Sequence, residues 1–309
     1  MARIAFIGVG NMGGPMSINL AKAQHQVQAF DLSPTALKAA EDGGATAAGS
    51  VADAVKDAEI VITMLPAGAH VREVYTGSGG IFENAPKGCL FIDSSTIDVA
   101  TTREIISEAK SAGFDMVDAP VSGGTGGAAA GTLTFMVGGE QAAFDRGQPA
   151  FQAMGKTIVH CGEAGAGQAV KACNNMMLAI TMIGVAEGFN LADSLGIDRQ
   201  IVYNVCSTAT ANSWALSTYC PVPGPAPSSP ANRNYEAGFT ADMMLKDLRL
   251  AQDAAQKAGV STPLGSEAQA LYALYSNMGE GGKDFSGIIQ MLRGKSGDKV
   301  ARCDHLAGK

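Results

Sequence analysis

The residues best suited to acid–base chemistry lie in one stretch, residues 165 to 188, which reads GAGQAVKACNNMMLAITMIGVAEG. At about 3.6 residues per turn, one face of a helix here would carry two polar residues, Lys171 and Asn175, followed by the apolar Leu178, Met182, Val185 and Phe189. The pattern predicts a long helix whose first turns carry polar side chains suited to chemistry and whose later turns pack into a hydrophobic core. We expect it to link two domains and to present Lys171 into the cleft between them.

A glycine-rich segment near the start of the chain supplies a second chemical motif. Residues 3 to 9, RIAFIGV, form an apolar run without polar alternation, which is typical of a central parallel strand. The run leads into GVGNMGGPM, where Gly8, Gly10 and Gly13 have the spacing Gly-x-Gly-x-x-Gly. Asp31 ends the next predicted strand. This context is the one that a dinucleotide-binding fingerprint requires.

Each position of the fingerprint has a physical task. Gly8 permits the tight turn, Gly10 lets a pyrophosphate approach the backbone, and Gly13 allows close packing of helix on strand. The phosphate charge would face the helix N-terminus. Asp31 would accept hydrogen bonds from the ribose hydroxyls and would repel a 2′-phosphate, so we expect NAD rather than NADP. The alternative is an ordinary turn between strand and helix, followed by a solvated acid.

Strands and helices alternate over the first 160 residues, which predicts a doubly wound parallel sheet. Further strands are predicted at residues 59–66, 89–95, 115–121, 133–139 and 156–162. Ligands bind beyond the carboxyl ends of such strands. Three of these ends have unusual sequences, which read Leu65-Pro66, Asp93-Ser94-Ser95-Thr96 and Asp118-Ala119-Pro120-Val121-Ser122-Gly123-Gly124. Together they favour a cofactor and substrate cleft over a set of ordinary turns.

The segment SGGTGGAAAG, residues 122–131, is a second glycine-rich element. Ser122 offers a hydroxyl group, and the small residues that follow could expose backbone N–H groups as an anion nest. Such a nest would suit a substrate carboxylate. The alternative is a flexible crossover loop.

With a nicotinamide nearby, Lys171 is the candidate for the proton transfer that accompanies hydride transfer from an alcohol. The ordinary lysine pKa, about 10.4, is too high for a base at neutral pH. The helix N-terminus and the positive nicotinamide would both disfavour the ammonium form and lower that pKa. Asn175, one turn further on, could hold the substrate or the lysine in register. The alternative for Lys171 is an ordinary surface lysine.

The composition argues against several classes of protein. A net charge of −7 disfavours nucleic acid as a partner, because phosphate binding needs clustered Lys and Arg. The six cysteines are far apart without metal-like spacing, which indicates thiols in a reducing compartment. We see no signal-peptide pattern, and the longest uncharged apolar run, residues 176–186, is too short to span a bilayer. We therefore expect a cytoplasmic protein with no membrane partner.

The strands give way to helices in the second half of the chain. The predicted fold is a Rossmann-like doubly wound α/β domain over residues 1–163 and an all-α domain over residues 164–309, joined by a helix at about 166–195. The proline-rich residues 220–235 could be an interdomain linker or a PxxP ligand, although an ordered loop is favoured. We expect the polar tail beyond Gly294 to be solvated or frayed.

Four motifs together resemble the β-hydroxyacid dehydrogenase family over almost the whole chain: GVGNMGGPM, DAPVSGGTGGAAAGTL, GAGQAVKACNN and GFTADMMLKDLRLA. The resemblance implies an eight-stranded nucleotide-binding domain, a long interdomain helix, and an all-helical domain that packs subunits into dimers or tetramers. It implies catalytic roles for Lys171 and Asn175. The positions implied for NAD are Gly8, Gly10, Asn11, Met12, Gly13, Asp31, Leu65, Pro66, His70, Thr96 and Lys246. The positions implied for the substrate are Ser122, Gly123, Gly124, Asn175 and Trp214.

The expected activity is the NAD-dependent oxidation of a small hydroxyacid by hydride transfer. Trp214, Tyr219 and Phe239 suggest an apolar wall suited to a methyl group on the substrate. Two alternatives stay open. One is a related enzyme that acts on tartronate semialdehyde or succinic semialdehyde, and the other is an NAD-binding sensor without catalysis.

Overall fold

The structure is a computed structural model that describes residues 1–293. The tail beyond Gly294, for which the sequence predicts solvation or fraying, lies outside the described residues. The chain divides into two compact units. The first ends at Lys171 and the second begins at Ala172.

Within residues 1–293, nine strands form a single sheet in the first unit. They are β1 Arg3–Ile7, β2 Gln26–Phe30, β3 Thr46–Ala47, β4 Ile60–Thr63, β5 Leu90–Asp93, β6 Asp115–Asp118, β7 Val121–Ser122, β8 Leu133–Gly138 and β9 Gly155–Gly162. The count exceeds the expected eight. Strands β3 and β7 have two residues each, too few to show a periodic pattern in the sequence.

The sheet order is β3-β2-β1-β4-β5-β6-β8-β7, with β9 paired to β8. Strands β1 to β6 are parallel, whereas β8 runs antiparallel to β6 and to β7. The first six strands thus have the order of a nucleotide-binding sheet, which reverses direction between β1 and β4. The predicted Rossmann-like fold class is confirmed.

The absence of polar alternation in β1 has a direct structural cause. Ile4 and Phe6 pack into the hydrophobic core on one face of the sheet, while Ala5 and Ile7 pack into the core on the other. All four are at most 2% exposed. A strand covered by helices on both faces has no solvent side for polar residues.

Eight helices of the first unit cover these two faces within the part of the chain that the structure describes. They are α1 Gly13–Lys22, α2 Pro34–Asp42, α3 Val51–Val55, α4 Gly68–Thr76, α5 Ile81–Asn84, α6 Val99–Ser111, α7 Gly124–Ala130 and α8 Gln141–Met154. Side chains that accept a backbone N–H begin three of them, namely Ser33, Ser50 and Asp98.

Helix α7 corrects the interpretation of residues 122–131 as a loop. Its sequence, GTGGAAA, has a poor intrinsic helix propensity because of its glycines. Tertiary contacts override that propensity, since Ala128 is fully buried and its carbonyl accepts a hydrogen bond from the Asn19 side chain at 2.7 Å. Gly131 ends the helix in the left-handed conformation.

The long predicted helix is α9, Ala166–Ser194. The second unit adds α10 Arg199–Cys206, α11 Trp214–Ser217, α12 Ala241–Ala258, α13 Pro263–Tyr275 and α14 Ile288–Leu292. No strand lies among its described residues, which end at Arg293. The predicted helical C-terminal half is confirmed.

The lower part of α9 packs within the second unit. Met182 and Phe189 are buried as predicted, together with Ala179 and Ala186, whereas Leu178 and Val185 are only partly buried. By length and composition alone, α9 could also cross a membrane. A core helix gives the same signal, and the buried side of α9 belongs to the core with α12 and α13.

The proline-rich residues 220–235 form an ordered, packed segment. Val222 and Ala226 are almost completely buried in a hydrophobic cluster. Tyr235 donates its hydroxyl to the carbonyl of Pro221 at 2.9 Å, which ties the two ends of the segment together. The segment is therefore part of the second unit's core, in keeping with the ordered loop favoured by the sequence.

Candidate active site

The glycine loop connects β1 to α1 at the point where the sheet order reverses. Gly8 has a φ of +91°, and a Cβ atom there would lie 2.4 Å from the carbonyl oxygen of Met64 on the neighbouring strand's loop. A Cβ atom on Gly13 would lie 1.9 Å from the carbonyl oxygen of Gly8. Both positions therefore admit only glycine. Gly10, by contrast, has open space where its Cβ would be.

Asp31 follows β2 and holds the glycine loop in place. One carboxylate oxygen accepts the backbone N–H of Val9 at 2.8 Å, and the other accepts that of Ser33 at 2.7 Å. Each oxygen keeps acceptor capacity for a ribose hydroxyl. The attachment to Val9 is a second task for Asp31 that the sequence did not indicate.

These residues fit an NAD molecule. Helix α1 begins after Met12 without a side-chain cap, so its first N–H groups can face a pyrophosphate. Gly10 and Asn11 are exposed, which leaves the backbone there accessible. Asp31 places a carboxylate beside the same loop. An anion-receptive helix end next to a ribose-binding acid is the donor and acceptor set that a dinucleotide needs.

The loop after β4 is fixed by a buried carboxylate on β5. The backbone N–H of Leu65 donates to the Ser95 hydroxyl at 2.8 Å, and that hydroxyl donates to Asp93 at 2.6 Å. Thr63 also donates to Asp93, at 2.7 Å. Burial raises the pKa of Asp93 from 3.8 to about 6, although these hydrogen bonds oppose the shift. Asp93 was noted in the sequence only as part of a strand end.

The remaining positions implied for NAD lie in both units. In the first unit, Pro66 and His70 are exposed and Thr96 is partly buried, all on or next to the loops after β4 and β5. Lys246 lies on α12 in the second unit, with its ammonium 3.7 Å from the Asp247 carboxylate. Their roles stay predictions.

Lys171 is not a surface lysine. Its side chain is buried, with the residue 8% exposed, and its amino group donates to the carbonyl of Val121 at 2.8 Å. Val121 is followed by Ser122 and by the two glycines at positions 123 and 124 that begin α7. The structure thus brings Lys171 next to the predicted carboxylate-binding segment, within the first unit.

A buried aspartate that the sequence indicates only as part of a strand end, Asp118, holds the start of α9 in place. Asp118 accepts the backbone N–H of Gly165 at 2.7 Å and that of Gln168 at 2.9 Å. Burial raises the pKa of Asp118, against the opposing effect of these hydrogen bonds. Gln168 adds a second attachment, because its side-chain amide donates to the carbonyl of Ser95 at 2.7 Å. These contacts fix the turn from which Lys171 projects.

Asn175 lies four residues beyond Lys171 on α9 and belongs to the second unit. Its amide donates to the carboxylate of Asp247 at 2.5 Å, and its own oxygen accepts from Asn174 at 2.8 Å. The other Asp247 oxygen, Oδ1, is buried and makes no hydrogen bond among the described residues, although the Lys246 ammonium lies 3.7 Å from it. Asp247 is therefore a further functional candidate, and the only sequence signal for it was its place beside Lys246.

Trp214 begins the short helix α11 and is 49% exposed. Its ring stacks on Tyr219, with ring centroids 4.6 Å apart. Phe239 contacts Phe285, which stacks on the other side of Tyr219. The three predicted wall residues thus belong to one aromatic cluster in the second unit.

The sheet order and the glycine loop indicate a dinucleotide-binding protein, and comparison with known proteins shows that the chain is an NAD-binding dehydrogenase. It matches the family described as the NAD binding domain of 6-phosphogluconate dehydrogenase over residues 3–162. It also matches the family described as NAD-binding of NADP-dependent 3-hydroxyisobutyrate dehydrogenase over residues 165–292. The prediction of NAD as cofactor is confirmed.

Similarity to individual proteins narrows the class. The chain is 48% identical to a probable 3-hydroxyisobutyrate dehydrogenase of Mycobacterium tuberculosis, covering 96% of this chain and 99% of the relative. It belongs to the 3-hydroxyisobutyrate dehydrogenase family, as the resemblance implied. A solved structure of the Mycobacterium tuberculosis 3-hydroxyisobutyrate dehydrogenase with L-serine matches with a TM-score of 0.90 at 49% identity, covering 95% of this chain and 99% of that one. An NAD-dependent L-serine dehydrogenase of Pseudomonas aeruginosa is 46% identical, covering 94% and 98%.

Two glycine substitutions should separate folding from cofactor binding. Gly13→Ala should destabilise the protein by several kcal/mol, because its methyl group would overlap the Gly8 carbonyl and overpacking costs about 1–3 kcal/mol or more. Gly10→Ala should fold normally and weaken NAD binding about tenfold or more, because its methyl group would occupy open space needed by the pyrophosphate. Thermal unfolding and NAD titration measure the two effects. Unchanged NAD affinity in Gly10→Ala would contradict the assigned site.

Asp93 should make stability depend on pH in an unusual direction. Because its pKa is raised from 3.8 to about 6, the folded state binds more protons than the unfolded state between these values. Its contribution is therefore largest below pH 3.8 and is lost as the pH rises through 6. The wild type's free energy of unfolding, relative to that of Asp93→Asn, should therefore fall by about 2 kcal/mol between pH 4 and pH 7.5. Denaturant titrations would test this, and a difference that does not vary with pH would refute it.

Proposed function

We propose that the protein oxidises 3-hydroxyisobutyrate to 2-methyl-3-oxopropanoate (methylmalonate semialdehyde), with NAD as the hydride acceptor, as a step of valine catabolism. The observation that carries the proposal is the buried amino group of Lys171, 2.8 Å from the carbonyl of Val121 and beside Ser122. Membership of the 3-hydroxyisobutyrate dehydrogenase family supports the choice of substrate. The preference for NAD over NADP is supported by the Asp31 carboxylate at the end of β2.

In the proposed mechanism, Lys171 removes the proton from the primary hydroxyl group while the carbon loses a hydride. NAD held by the glycine loop and Asp31 would supply the acceptor for that hydride. The Val121 carbonyl can accept an N–H from either the ammonium or the neutral amine, so the contact can hold the side chain before and after proton transfer. Asp118 supports this role by fixing the first turn of α9.

The substrate carboxylate is assigned to Ser122, Gly123 and Gly124. Gly123 precedes α7 without a side-chain cap, so the first N–H groups of that helix have no competing side-chain acceptor there. We assign Asn175 to the substrate as well. Its attachment to Asp247 holds the amide in one orientation and thereby favours a fixed contact.

L-serine is the second candidate substrate. It carries an ammonium group where 3-hydroxyisobutyrate has a methyl group, and its hydroxyl and carboxylate are otherwise placed alike. A 46% identical relative is an NAD-dependent L-serine dehydrogenase, and the matching Mycobacterium tuberculosis structure contains L-serine. The aromatic cluster around Trp214 favours the methyl compound, because it presents apolar surface.

We also propose a cytoplasmic homo-oligomer, a dimer or tetramer. Free thiols among residues 1–293, including the buried Cys89 and Cys220, suit a reducing compartment. Several large apolar residues of the second unit are more than half exposed, and those on or next to α9 and α10 would suit a subunit interface, among them Leu191, Leu195, Ile201 and Val205. Light scattering on the purified protein would measure the subunit number.

A substrate panel tests the activity. NADH formation should be fastest with (S)-3-hydroxyisobutyrate, slower with L-serine, and slower still with glycerate and 4-hydroxybutyrate. NAD should be preferred to NADP. A higher kcat/KM for L-serine would replace the proposed substrate with the second candidate. Binding of NAD without turnover of any of the four would support the sensor alternative.

Lys171→Ala should fold and bind NAD while kcat falls by about 10²- to 10⁴-fold, the usual worth of a general acid–base group. Lys156→Ala is the matched control, because Lys156 lies exposed on β9 of the same unit. Steady-state kinetics, NAD titration and thermal unfolding would be compared for both variants. Activity near that of the wild type in Lys171→Ala would overturn the mechanism.

A further inference from the structure

The aromatic cluster of the second unit is built as a stack. Trp214 lies on Tyr219 at 4.6 Å with an interplanar angle of 22°, and Tyr219 lies on Phe285 at 5.4 Å with the same angle. Phe239 meets Phe285 edge-on at 5.7 Å. The half-exposed Trp214 forms the outer end of the stack.

The carboxylate of Asp284 is hydrogen-bonded to this stack. Asp284 is fully buried, and its Oδ2 atom accepts the Tyr219 hydroxyl at 2.8 Å. The same oxygen accepts the backbone N–H groups of Gly238 at 3.0 Å and Phe239 at 3.2 Å. Its Oδ1 atom accepts the backbone N–H of Ser286 at 3.0 Å and the Ser286 hydroxyl at 2.7 Å. Five hydrogen-bond donors thus surround this one side chain.

These contacts constrain the stack in a way that ring packing does not. Aromatic pairs are favourable over a range of centroid distances and in both offset-stacked and edge-to-face arrangements, so ring packing alone does not fix one atom against another. A hydrogen bond from the Tyr219 hydroxyl to a buried carboxylate fixes both the position and the tilt of that ring. The hydrogen bond from the Phe239 backbone N–H to the same carboxylate fixes the backbone of Phe239, a second residue of the predicted apolar wall. One side chain therefore sets the shape of a surface formed by two distant parts of the chain.

We infer that Asp284 is a specificity-determining positioning residue: it holds Tyr219 and Phe239 so that Trp214 and Phe239 present a rigid apolar surface to the C2 methyl group of the substrate. The inference rests on the proposed function both for the identity of the substrate and for the contact of the aromatic cluster with it. The substrate class selected is a 3-hydroxy acid with an apolar C2 branch, over its unbranched counterpart. An apolar surface held in one position can favour the acid with the C2 methyl group. A mobile surface would instead adjust to contact the branched and the unbranched acid alike.

Two variants and one control test the role. Asp284→Asn removes the charge, and Tyr219→Phe removes only the hydroxyl that bonds to it. Tyr272→Phe is the control, because Tyr272 is a buried tyrosine of the same core whose hydroxyl donates to the Phe285 carbonyl at 3.1 Å and not to Asp284. If Asp284→Asn fails to fold, Tyr219→Phe decides the question alone.

The first readout does not depend on activity. Trp214 is the only tryptophan in the chain, so intrinsic fluorescence reports on this stack. We expect a shifted emission maximum and about twofold stronger acrylamide quenching in Tyr219→Phe and Asp284→Asn, with no change in Tyr272→Phe. Wild-type fluorescence in folded variants of both residues would overturn the positioning role.

The second readout is the ratio of kcat/KM for 3-hydroxyisobutyrate to that for 3-hydroxypropionate, which lacks only the methyl group. One methyl group in a pocket is worth about 10- to 200-fold, and we expect this ratio to fall at least threefold in the two variants while the KM for NAD stays constant. An unchanged ratio would overturn the specificity role, even with altered fluorescence. A wild type inactive on both acids would refute the proposed function and the specificity role with it, and the fluorescence result would then decide the positioning role separately.

Discussion

The carboxylate of Asp118 is the interaction on which the candidate site depends. It lies at the end of β6 and accepts the N–H groups of Gly165 and Gln168, so one buried charge meets the free donors of a helix start. A Cβ atom on Gly138 or Gly167 would lie within 2.7 Å of this carboxylate, so both neighbours are glycines. The contact sets where α9 begins and therefore where Lys171 points.

Two other buried aspartates follow the same principle. Asp93 holds the loop after β4 through the Ser95 hydroxyl, and Asp284 holds the aromatic cluster through the Tyr219 hydroxyl. Each carboxylate is satisfied by several N–H or O–H donors from distant parts of the chain. A buried carboxylate is costly unless it is hydrogen-bonded, so any displacement of these segments carries a large penalty. The predicted cofactor loop and the predicted substrate wall are both fixed by such groups.

The likeness to an L-serine dehydrogenase and to a structure with L-serine bears on how finely such a site discriminates. The hydroxyl and carboxylate that 3-hydroxyisobutyrate shares with L-serine would meet the same groups, Lys171 and the segment at Ser122. The substrates differ only in the branch at C2. Under the proposed function, discrimination would come from the surface that meets this branch, and we propose the aromatic cluster for that role.

Local sequence determined much of this protein. The apolar run of β1, the spacing of Gly8, Gly10 and Gly13, and the acid at position 31 predict the nucleotide-binding sheet, because each reflects a requirement of nearby backbone. The helical spacing of α9 likewise predicts that Lys171 and Asn175 lie one turn apart on one face, and the structure shows that both are buried. Such patterns repeat every two or three to four residues and can be read from one segment alone.

Only the tertiary structure decided the partners of these residues. The contacts of Lys171 with Val121, of Asn175 with Asp247 and of Tyr219 with Asp284 join segments 50, 72 and 65 residues apart. The helix at Gly124–Ala130 also forms against its local propensity, because Ala128 packs in the core. The spacing of residues within one segment does not indicate which distant backbone N–H group a buried aspartate will bind. The sequence therefore determined the fold and the residue types of the site, and long-range packing decided which buried carboxylates hold them in place.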